Sequence, residues 1–502
     1  MDAYGRPSPK EIASCRQWLD SYLDRSDRAT SRDGRARDAV SGEIRVMVEG
    51  VKMFDKILIA NRGEIAVRII RACREMGIRT VAVCSEVDRE ALHAQLADET
   101  ICIGPNAPKD SYLNVERILS AALSTGAEAI HPGFGFLSEN SRFARMTEQC
   151  GLTFIGPSAQ CIDQMGNKAI ARSKMIQAGV PVIPGSEGIV KNVREAKRLA
   201  QKIGYPVMIK AAAGGGGRGM RLARTPEEFK SMFEAAQLET QSAFGDDGMY
   251  LERYIENARH IEFQIMADKQ GNVVHLGERD CSIQRRNQKM IEESPSTALT
   301  PRLRRKMGAD AVKAAKAVSY NSAGTVEFLL TEKGEYFFME MNTRIQVEHP
   351  VTEMVTGRDL IREMIRMAAG EPLSFSQNDV VLQGHAIECR INAEDPEHGF
   401  RPTPGHVTEL HFPGGFGVRV DSALYSGYTV PPYYDSMLTK LIVHSETRED
   451  AVRKMQSALG ETVIGGVTTN VDFLYDLMHE EAFLQDDIIT IRTMLEEKGS
   501  KS

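Results

Sequence analysis

The stretch Thr325–Pro350, TVEFLLTEKGEYFFMEMNTRIQVEHP, holds two runs of β-branched and aromatic residues, TVEFLLT and EYFFMEMN, around a Gly-bearing break, Glu332-Lys333-Gly334-Glu335. That pattern predicts two antiparallel strands joined by a short turn. With those four residues as the loop, Thr331 pairs with Tyr336, and counting outward sets Glu327 directly opposite Glu340. Opposed positions hold their Cβ atoms about 4.5–5.5 Å apart. Two carboxylates at that separation repel, so one takes up a proton or a cation sits between them, and a hard divalent ion such as Mg²⁺ meets the need. Beyond Glu340 the polar residues keep a period of two, Glu340, Asn342, Arg344, Gln346, Glu348, with Met341, Thr343, Ile345 and Val347 between them. If the strand continues, one face carries metal-type ligands, a guanidinium and a further carboxylate. Alternation alone also describes an amphipathic strand with one solvated face; the opposed glutamates turn the search toward phosphates.

The rest of the chain sets limits. Its 502 residues exceed one hydrophobic core and predict two to four domains, with the composition of an ordinary globular protein. The net charge of -7 gives no reason to expect nucleic acid or an anionic membrane as partner. Eight cysteines, Cys15, Cys73, Cys84, Cys102, Cys150, Cys161, Cys281 and Cys389, show no CxxC and no zinc spacing, which fits a reduced, cytoplasmic setting. Apolar runs long enough to span a membrane, or to form a secretory signal, are not found.

Residues 1–52 are dense in Arg and Asp and read as a charged, mobile leader, with one amphipathic stripe at Ile12, Cys15, Trp18, Leu19 and Leu23. The acids Asp2, Asp20, Asp24, Asp27 and Asp33 argue against an organelle transit peptide, and Met53 is an alternative start. From Met53 strands and helices alternate through FDKILIA, IAVRIIRACREMG, RTVAVCS, ADETICIG, VERILSAALSTG, AEAIHPG and LTFIGP. This is the pattern of a doubly wound α/β layer, with His131–Asn140 (HPGFGFLSEN) a strand-end loop on the ligand side of the sheet. In the second region MGNKAIARSKMIQAG reads as one helix and PVMIK as a strand presenting Lys210 before the loop Gly214–Gly219; glycines there let backbone N–H groups approach a polyphosphate. The loop is not a Walker A motif. Next, GMYLERYIENARHIEFQIMAD reads as strand, turn and strand, and Arg285, Arg286 and Lys289 as a cationic cluster that is either a solvated face or counter-charge for anions. In the third region, alternation in QGHAIECRINAED puts Glu388, Arg390 and Asn392 on one face, and a mixed α/β cap follows. Fold class is therefore α/β in its first domain and α+β overall.

A lysine before a Gly flap, a basic cluster and opposed glutamates with an asparagine nearby point to phosphoryl transfer from a nucleotide with Mg²⁺. From Met53 to about Leu495 the chain also resembles biotin carboxylase, a member of the ATP-grasp superfamily. The likeness is carried by ILIANRGEIAVRIIRA, HPGFGFLSEN, GGGGRGM, ERDCSIQRRNQK, EMNTRIQVEHPVTEM and HAIECRINAEDP. It implies a Rossmann-like domain at 53–166, an ATP-grasp domain with a mobile flap at 167–375 and a C-terminal domain at 383–495. It also implies that ATP phosphorylates bicarbonate to carboxyphosphate, which yields CO₂ for carboxylation of biotin on a carrier protein.

By that resemblance Lys168 and Lys210 touch ATP phosphates, Gly216 and Gly217 lie in the closing flap, Glu252, Arg253, Tyr254 and Ile255 hold adenine, and His260 the ribose side. Glu327 and Glu340 bind Mg²⁺ or Mn²⁺, with Asn342 on a second ion. Lys289, Arg344 and Val347 cradle bicarbonate, Glu348 resembles the general base, and Arg390 the residue that stabilises the biotin enolate. Asn287 stands where many members have His, an amide that can still hydrogen-bond a sugar or phosphate, and Ala212-Ala213 where relatives often have Ser-Gly, a change that stiffens the flap hinge. No Ala-Met-Lys-Met-type biotinylation site or carboxyltransferase segment occurs. The resemblance therefore implies a homodimeric protein that visits a biotin carboxyl carrier protein and works with carboxyltransferase subunits, as in acetyl-CoA carboxylase and malonyl-CoA supply to fatty acids. Other readings are a different ATP-grasp ligase, which the Arg344-to-Glu348 spacing and the Arg390 strand argue against, and a non-catalytic ATP-binding regulatory protein.

Overall fold

A computed structural model describes residues 52–211, 219–244 and 247–500. Residues 1–51 of the leader, Ala212-Ala213, Gly216 and Gly217 lie outside the described residues.

The first unit is a five-stranded parallel sheet of β1 (Lys56–Ile59), β2 (Arg79–Ser85), β3 (Glu99–Gly104), β4 (Ala129–His131) and β5 (Thr153–Phe154), in the order β3-β2-β1-β4-β5. Its inner strands are largely apolar because both faces are covered there; Ile57, Leu58 and Ile59 are wholly buried, whereas the edge strand β3 is mostly half-buried or exposed. The order reverses around β1, and such switch points leave a crevice at the carboxyl ends of the strands. The loops after β1 and β4 meet there: Asn61 Nδ2 donates to the carbonyls of Pro132 and Phe134, both at 2.7 Å.

The predicted single helix after this sheet is two, Ala159–Gly166 and Lys168–Gln177. Asn167 breaks it with an extended backbone, and its side chain caps the second helix by accepting from Ala169 N and Ile170 N, both at 3.1 Å. A small antiparallel sheet, β6 (Val207–Ala211), β7 (Arg221–Ala223) and β8 (Met249–Arg253), follows in the order β7-β6-β8. Ala211 N donates to Gly219 O at 3.1 Å, which draws together the two ends of the glycine loop.

The largest element is an eight-stranded sheet. It contains β9 (Arg259–Ala267), β10 (Val273–Arg285), β11 (Gln288–Ser294), β12 (Ser322–Leu330), β13 (Tyr336–Asn342), β14 (His385–Asn392) and the strands Val418–Ser422 and Met437–Ser445. The order is β13-β12-β9-β10-β11-β14, then Met437–Ser445 and Val418–Ser422, antiparallel throughout. The third region is thus no separate cap, since three of its strands extend the sheet of the second. Phe263, Phe328, Met307 and Ala311 pack one face of this sheet against the helix Pro301–Ala317, and all four are wholly buried. Truncating Phe328 to Ala would cost about 3–5 kcal/mol.

The hairpin of β12 and β13 has the expected opposition for a partly different reason. Leu330, not Thr331, pairs with Tyr336, so the loop is Thr331–Glu335 with Gly334 at φ 76°. A bulge then makes up the difference: Phe328 faces Phe338 whereas Glu327 faces Glu340, leaving Met339 unopposed. The strand does not continue to Glu348, since β13 ends at Asn342 and residues 343–348 are bends and turns before the helix His349–Thr356.

Candidate active site

A cavity of about 2170 Å³ lies where these units meet. Its wall includes Lys168, Lys210, Glu252, Arg253, Tyr254, Ile255, His260, Asn287, Lys289, Glu327, Glu340, Asn342, Arg344, Val347, Glu348 and Arg390. Every sequence-predicted site residue among the described residues therefore faces one space.

The sheet register explains its charged floor. Glu340 on β13 faces Glu327 on β12, Glu327 faces Glu262 on β9, and Glu262 faces Arg279 on β10. Three carboxylates and a guanidinium thus stand abreast on four neighbouring strands. Arg279 and Glu262 are both wholly buried, and Arg279 Nε donates to Glu262 Oε1 at 2.5 Å. Lys289 enters from β11: its Nζ lies 2.6 Å from Glu262 Oε2, 2.7 Å from Glu348 Oε1 and 3.3 Å from Glu327 Oε1. His260 Nε2 is 2.8 Å from Glu327 Oε2, so this imidazole belongs to the carboxylate cluster.

The opposed glutamates differ in charge state. Burial pushes the Glu327 carboxyl up, but His260 and Lys289 outweigh it and hold it at about 2. Glu340 is raised by burial and by Glu327 across the hairpin. Without a cation one carboxylate is thus ionised while the other tends to keep its proton, and a divalent ion between them would release that proton. Hard oxygen donors suit Mg²⁺ or Mn²⁺, so Glu327 and Glu340 fit the expected metal. Asn342 is committed elsewhere: its Nδ2 donates to Glu327 Oε1 at 2.7 Å and its Oδ1 accepts from Arg344 Nη2 at 3.3 Å.

At the other end, Arg390 on β14 reaches two carboxylates. Its Nε donates to Glu292 Oε1 at 2.6 Å and its Nη2 to Glu348 Oε2 at 2.9 Å. Glu348, wholly buried, therefore bridges Lys289 and Arg390. Burial pushes its carboxyl up, but Lys289, Arg390 and Arg279 more than offset this and hold it well below the usual carboxylate range. Glu292 goes the other way, pushed up to about 7 by burial against the pull of Arg390. The irregular segment 343–348 is fixed by side chains. Gln346 Nε2 donates to Glu327 Oε1 at 3.1 Å, Arg344 Nη1 donates to Gln346 Oε1 at 2.7 Å, and the buried Lys440 Nζ donates to the Val347 carbonyl at 2.9 Å.

Toward the small sheet, Lys210 makes a close ion pair with Glu252. Lys168, at the start of the helix Lys168–Gln177, lowers the Glu340 carboxyl, though less than burial and Glu327 raise it. In the expected adenine segment, the N–H groups of Arg253 and Tyr254 already donate to the carbonyls of Pro184 and Pro206, at 2.8 and 2.9 Å. The predicted cationic cluster is divided. Lys289 faces the carboxylates, whereas Arg285 lies 4.0 Å over the Phe400 ring and donates to Gly399 O. Arg286 and Asn287 form the two-residue turn between β10 and β11, at φ 49° and 63°. Asn tolerates that left-handed backbone better than most residues, which gives position 287 a local reason for its amide.

Sequence profiles agree with this geometry. Residues 53–162 match the biotin carboxylase N-terminal domain, 167–376 the ATP-binding domain of the carbamoyl-phosphate synthase L chain, and 388–495 the biotin carboxylase C-terminal domain. Biotin carboxylase 1 of Bacillus subtilis is 59% identical over 439 residues, 87% of this chain and 98% of that protein. The chain belongs to the biotin carboxylase family. It is an ATP-grasp ligase by fold and by sequence. The 2-oxoglutarate carboxylase small subunit of Hydrogenobacter thermophilus is 55% identical over 444 residues, 88% of this chain and 94% of that one. Among solved structures, the biotin carboxylase domain dimer of the same 2-oxoglutarate carboxylase was crystallised with MgADP, ADP and bicarbonate. It superposes with a TM-score of 0.80 at 55% identity, covering 86% of this chain and 95% of that one.

Sequence reasoning missed Glu262, Arg279, Glu292 and Lys440, and gave no role to Gln346 on the polar face. Glu262 was within reach: pairing HIEFQIMA with TVEFLL in antiparallel register sets it beside Glu327.

Proposed function

We propose that this biotin carboxylase uses ATP and bicarbonate to carboxylate biotin on a separate carrier protein. The observation that carries the reading is that Glu348 bridges Lys289 and Arg390 one step from the Glu327–Glu340 pair. Nucleotide phosphates lie between Lys168 and Lys210 on one side and the two glutamates on the other. Glu252 to Ile255 take the base and His260 the ribose side, while Asn287 contributes a neutral hydrogen-bonding group. Glu327 and Glu340 would hold Mg²⁺, which would supply charge neutralisation at the phosphates, and Asn342 would hold a second ion.

Bicarbonate, an anion, displaces part of the Glu348 pairing and docks on Lys289, Arg344 and the Val347 backbone. Glu348 takes its proton, and the freed oxygen attacks the terminal phosphorus of ATP to give carboxyphosphate and ADP. The C–O bond of carboxyphosphate breaks to give CO₂ and phosphate beside Arg390; the phosphate takes the N1 proton of biotin, the Arg390 guanidinium stabilises the negative oxygen left on the ureido ring, and N1 attacks CO₂. Relatives named for 2-oxoglutarate and pyruvate carboxylases share this chain's sequence nearly as closely as the plain biotin carboxylases. The acceptor, whether acetyl-CoA, another acyl-CoA or a 2-oxo acid, is therefore set by the carboxyltransferase subunits that share the carrier. A homodimer in the cytoplasm is the assembly and compartment proposed, supported by the dimer of the Hydrogenobacter domain and by cysteines without disulfide or zinc patterns. Among the described residues no helix is long and apolar enough to cross a membrane.

The test is ATP hydrolysis by purified protein with Mg²⁺, bicarbonate and free biotin. ADP release that needs bicarbonate and rises with millimolar biotin is expected. A folded sample that biotin does not stimulate would refute the reading.

A further inference from the structure

The loop HPGFGFLSEN of the parallel-sheet unit lies in the cavity wall but has no part in the proposed reaction. Glu139, next to its end, reaches across to the segment after β13. Its Oε1 accepts from Thr343 N at 3.0 Å and from Thr343 Oγ1 at 3.2 Å, and its Oε2 accepts from Arg344 Nε at 3.0 Å. We propose that Glu139 is a positioning residue that aims the Arg344 guanidinium at bicarbonate; this rests on the proposed role of Arg344.

Three features favour aiming over a passive surface ion pair. First, Arg344 has left the regular strand, so no ladder fixes its backbone, and Glu139 binds both the neighbouring peptide and the side chain. Second, Glu139 takes only the Nε edge. Gln346 takes Nη1 and Asn342 takes Nη2, so the guanidinium plane is set from three directions. Third, the loop that bears Glu139 is itself held. Asn61 Nδ2 binds the Pro132 and Phe134 carbonyls, and a Cβ at Gly133, φ 61°, would stand 3.0 Å from that nitrogen. Phe136 stacks on the buried Tyr112 at 5.0 Å, and Asn140 caps the following helix by accepting from Phe143 N at 2.9 Å. A carboxylate on so rigid a base restricts Arg344 more than one on a free loop would.

The experiment compares wild type, Glu139→Gln, Glu139→Ala, Arg344→Ala and the double variant Glu139→Gln/Arg344→Ala in biotin-dependent ADP release, with bicarbonate and ATP varied separately. Gln keeps an acceptor for Thr343 but removes the charge from Arg344. We expect Glu139→Gln to lower kcat/KM for bicarbonate about two- to five-fold, the range of a partly exposed ion pair, and Glu139→Ala to lower it further. KM for ATP and the melting temperature should stay near wild type. In the Arg344→Ala background Glu139→Gln should change nothing more, because its effect passes through the missing guanidinium. A bicarbonate kcat/KM in Glu139→Gln equal to wild type, or losses that multiply independently in the double variant, would overturn the proposal. If Arg344→Ala itself leaves bicarbonate kinetics unchanged, the role of Arg344 fails first. A fall in melting temperature with equal losses for both substrates would make Glu139 a merely structural residue.

Discussion

Replacing Glu348 by Gln isolates the proposed base with little change of shape. In the native site Glu348 Oε1 stands 2.7 Å from Lys289 Nζ and Oε2 stands 2.9 Å from Arg390 Nη2. Gln keeps one oxygen for Lys289, which leaves its amide nitrogen facing Arg390, donor against donor. A general base is worth about 10²–10⁴ in rate, so turnover should fall by about three powers of ten, or about 4 kcal/mol at the barrier. Lys168 and Lys210 are untouched, so MgATP affinity by calorimetry should hold within about two-fold. The assay is ADP release with saturating bicarbonate and biotin, beside a Glu348→Asp control that keeps a carboxylate on a shorter stem. Turnover of folded Glu348→Gln within about three-fold of wild type would refute the assignment.

Glu348 also presents a difficulty that bicarbonate binding resolves. A carboxylate held well below its ordinary range is a weak base, and Lys289 and Arg390 hold it there. In the proposed reaction an entering anion that draws on the same cations would raise its basicity, so substrate binding itself would create the base. The sign for stability follows. A carboxyl depressed in the folded state stabilises above the unfolded value of about 4.3, and that contribution is lost as pH falls through the lower folded value. The stability gap between wild type and Glu348→Gln should therefore narrow below about pH 4 in denaturant titrations.

Two other substitutions have opposite signs. Glu340→Gln removes a like charge facing Glu327, so the metal-free protein should gain about 1 kcal/mol, read as a melting shift of about 2 °C, while the Mg²⁺ needed for half-maximal activity rises at least about ten-fold. Because the Glu340 carboxyl is raised in the folded state, its favourable share is present below about pH 4.3 and lost as pH rises, so the gain should grow toward neutral pH; a loss of stability there would count against the charge assignment. Lys440→Met should destabilise by about 3–5 kcal/mol, because Lys440 is wholly buried beside Glu64, 3.2 Å away, and the Val347 carbonyl. Burial already pushes Glu64 up to about 6, with Lys440 the main group lowering it, so the deficit should be larger at pH 8 than at pH 6 in chemical unfolding; a pH-independent deficit would show that Glu64 is not involved.

Local pattern made much of this site readable. A period of two and a Gly-bearing turn were enough to oppose Glu327 and Glu340, although the turn was one residue longer and a bulge at Met339 restored the register. A bulge has no single-residue signature in YFFMEMN, since any of its apolar residues could be the unopposed one. The strand past Asn342 was misread because Arg344, Gln346 and Glu348 alternate as strand residues do while their positions are set by Glu139, Glu327 and Lys440, distant in the chain. Glu262, Arg279 and Glu292 stayed hidden for the same reason: each matters through the strand beside it, and neighbours in a sheet are fixed by tertiary register. Arg285 parted from Lys289 because Lys289 pairs with Gln284 and Arg285 with Gln288, which puts the two cations on opposite faces of the hairpin, where Arg285 stacks on Phe400.

The continuity of the large sheet has a mechanical meaning. Lys289, Glu327 and Arg390 stand on β11, β12 and β14 of one hydrogen-bonded body, whereas Lys210 and Glu252 stand on the separate three-stranded sheet. On the proposed roles, a displacement of the small sheet would change the grip on nucleotide phosphates and leave the spacing of Lys289, Glu327 and Arg390 untouched. On the same roles the two halves would age differently under mutation: wear in the small sheet would cost nucleotide affinity, while a one-residue slip in the large one would displace Lys289, Glu327 and Arg390 together.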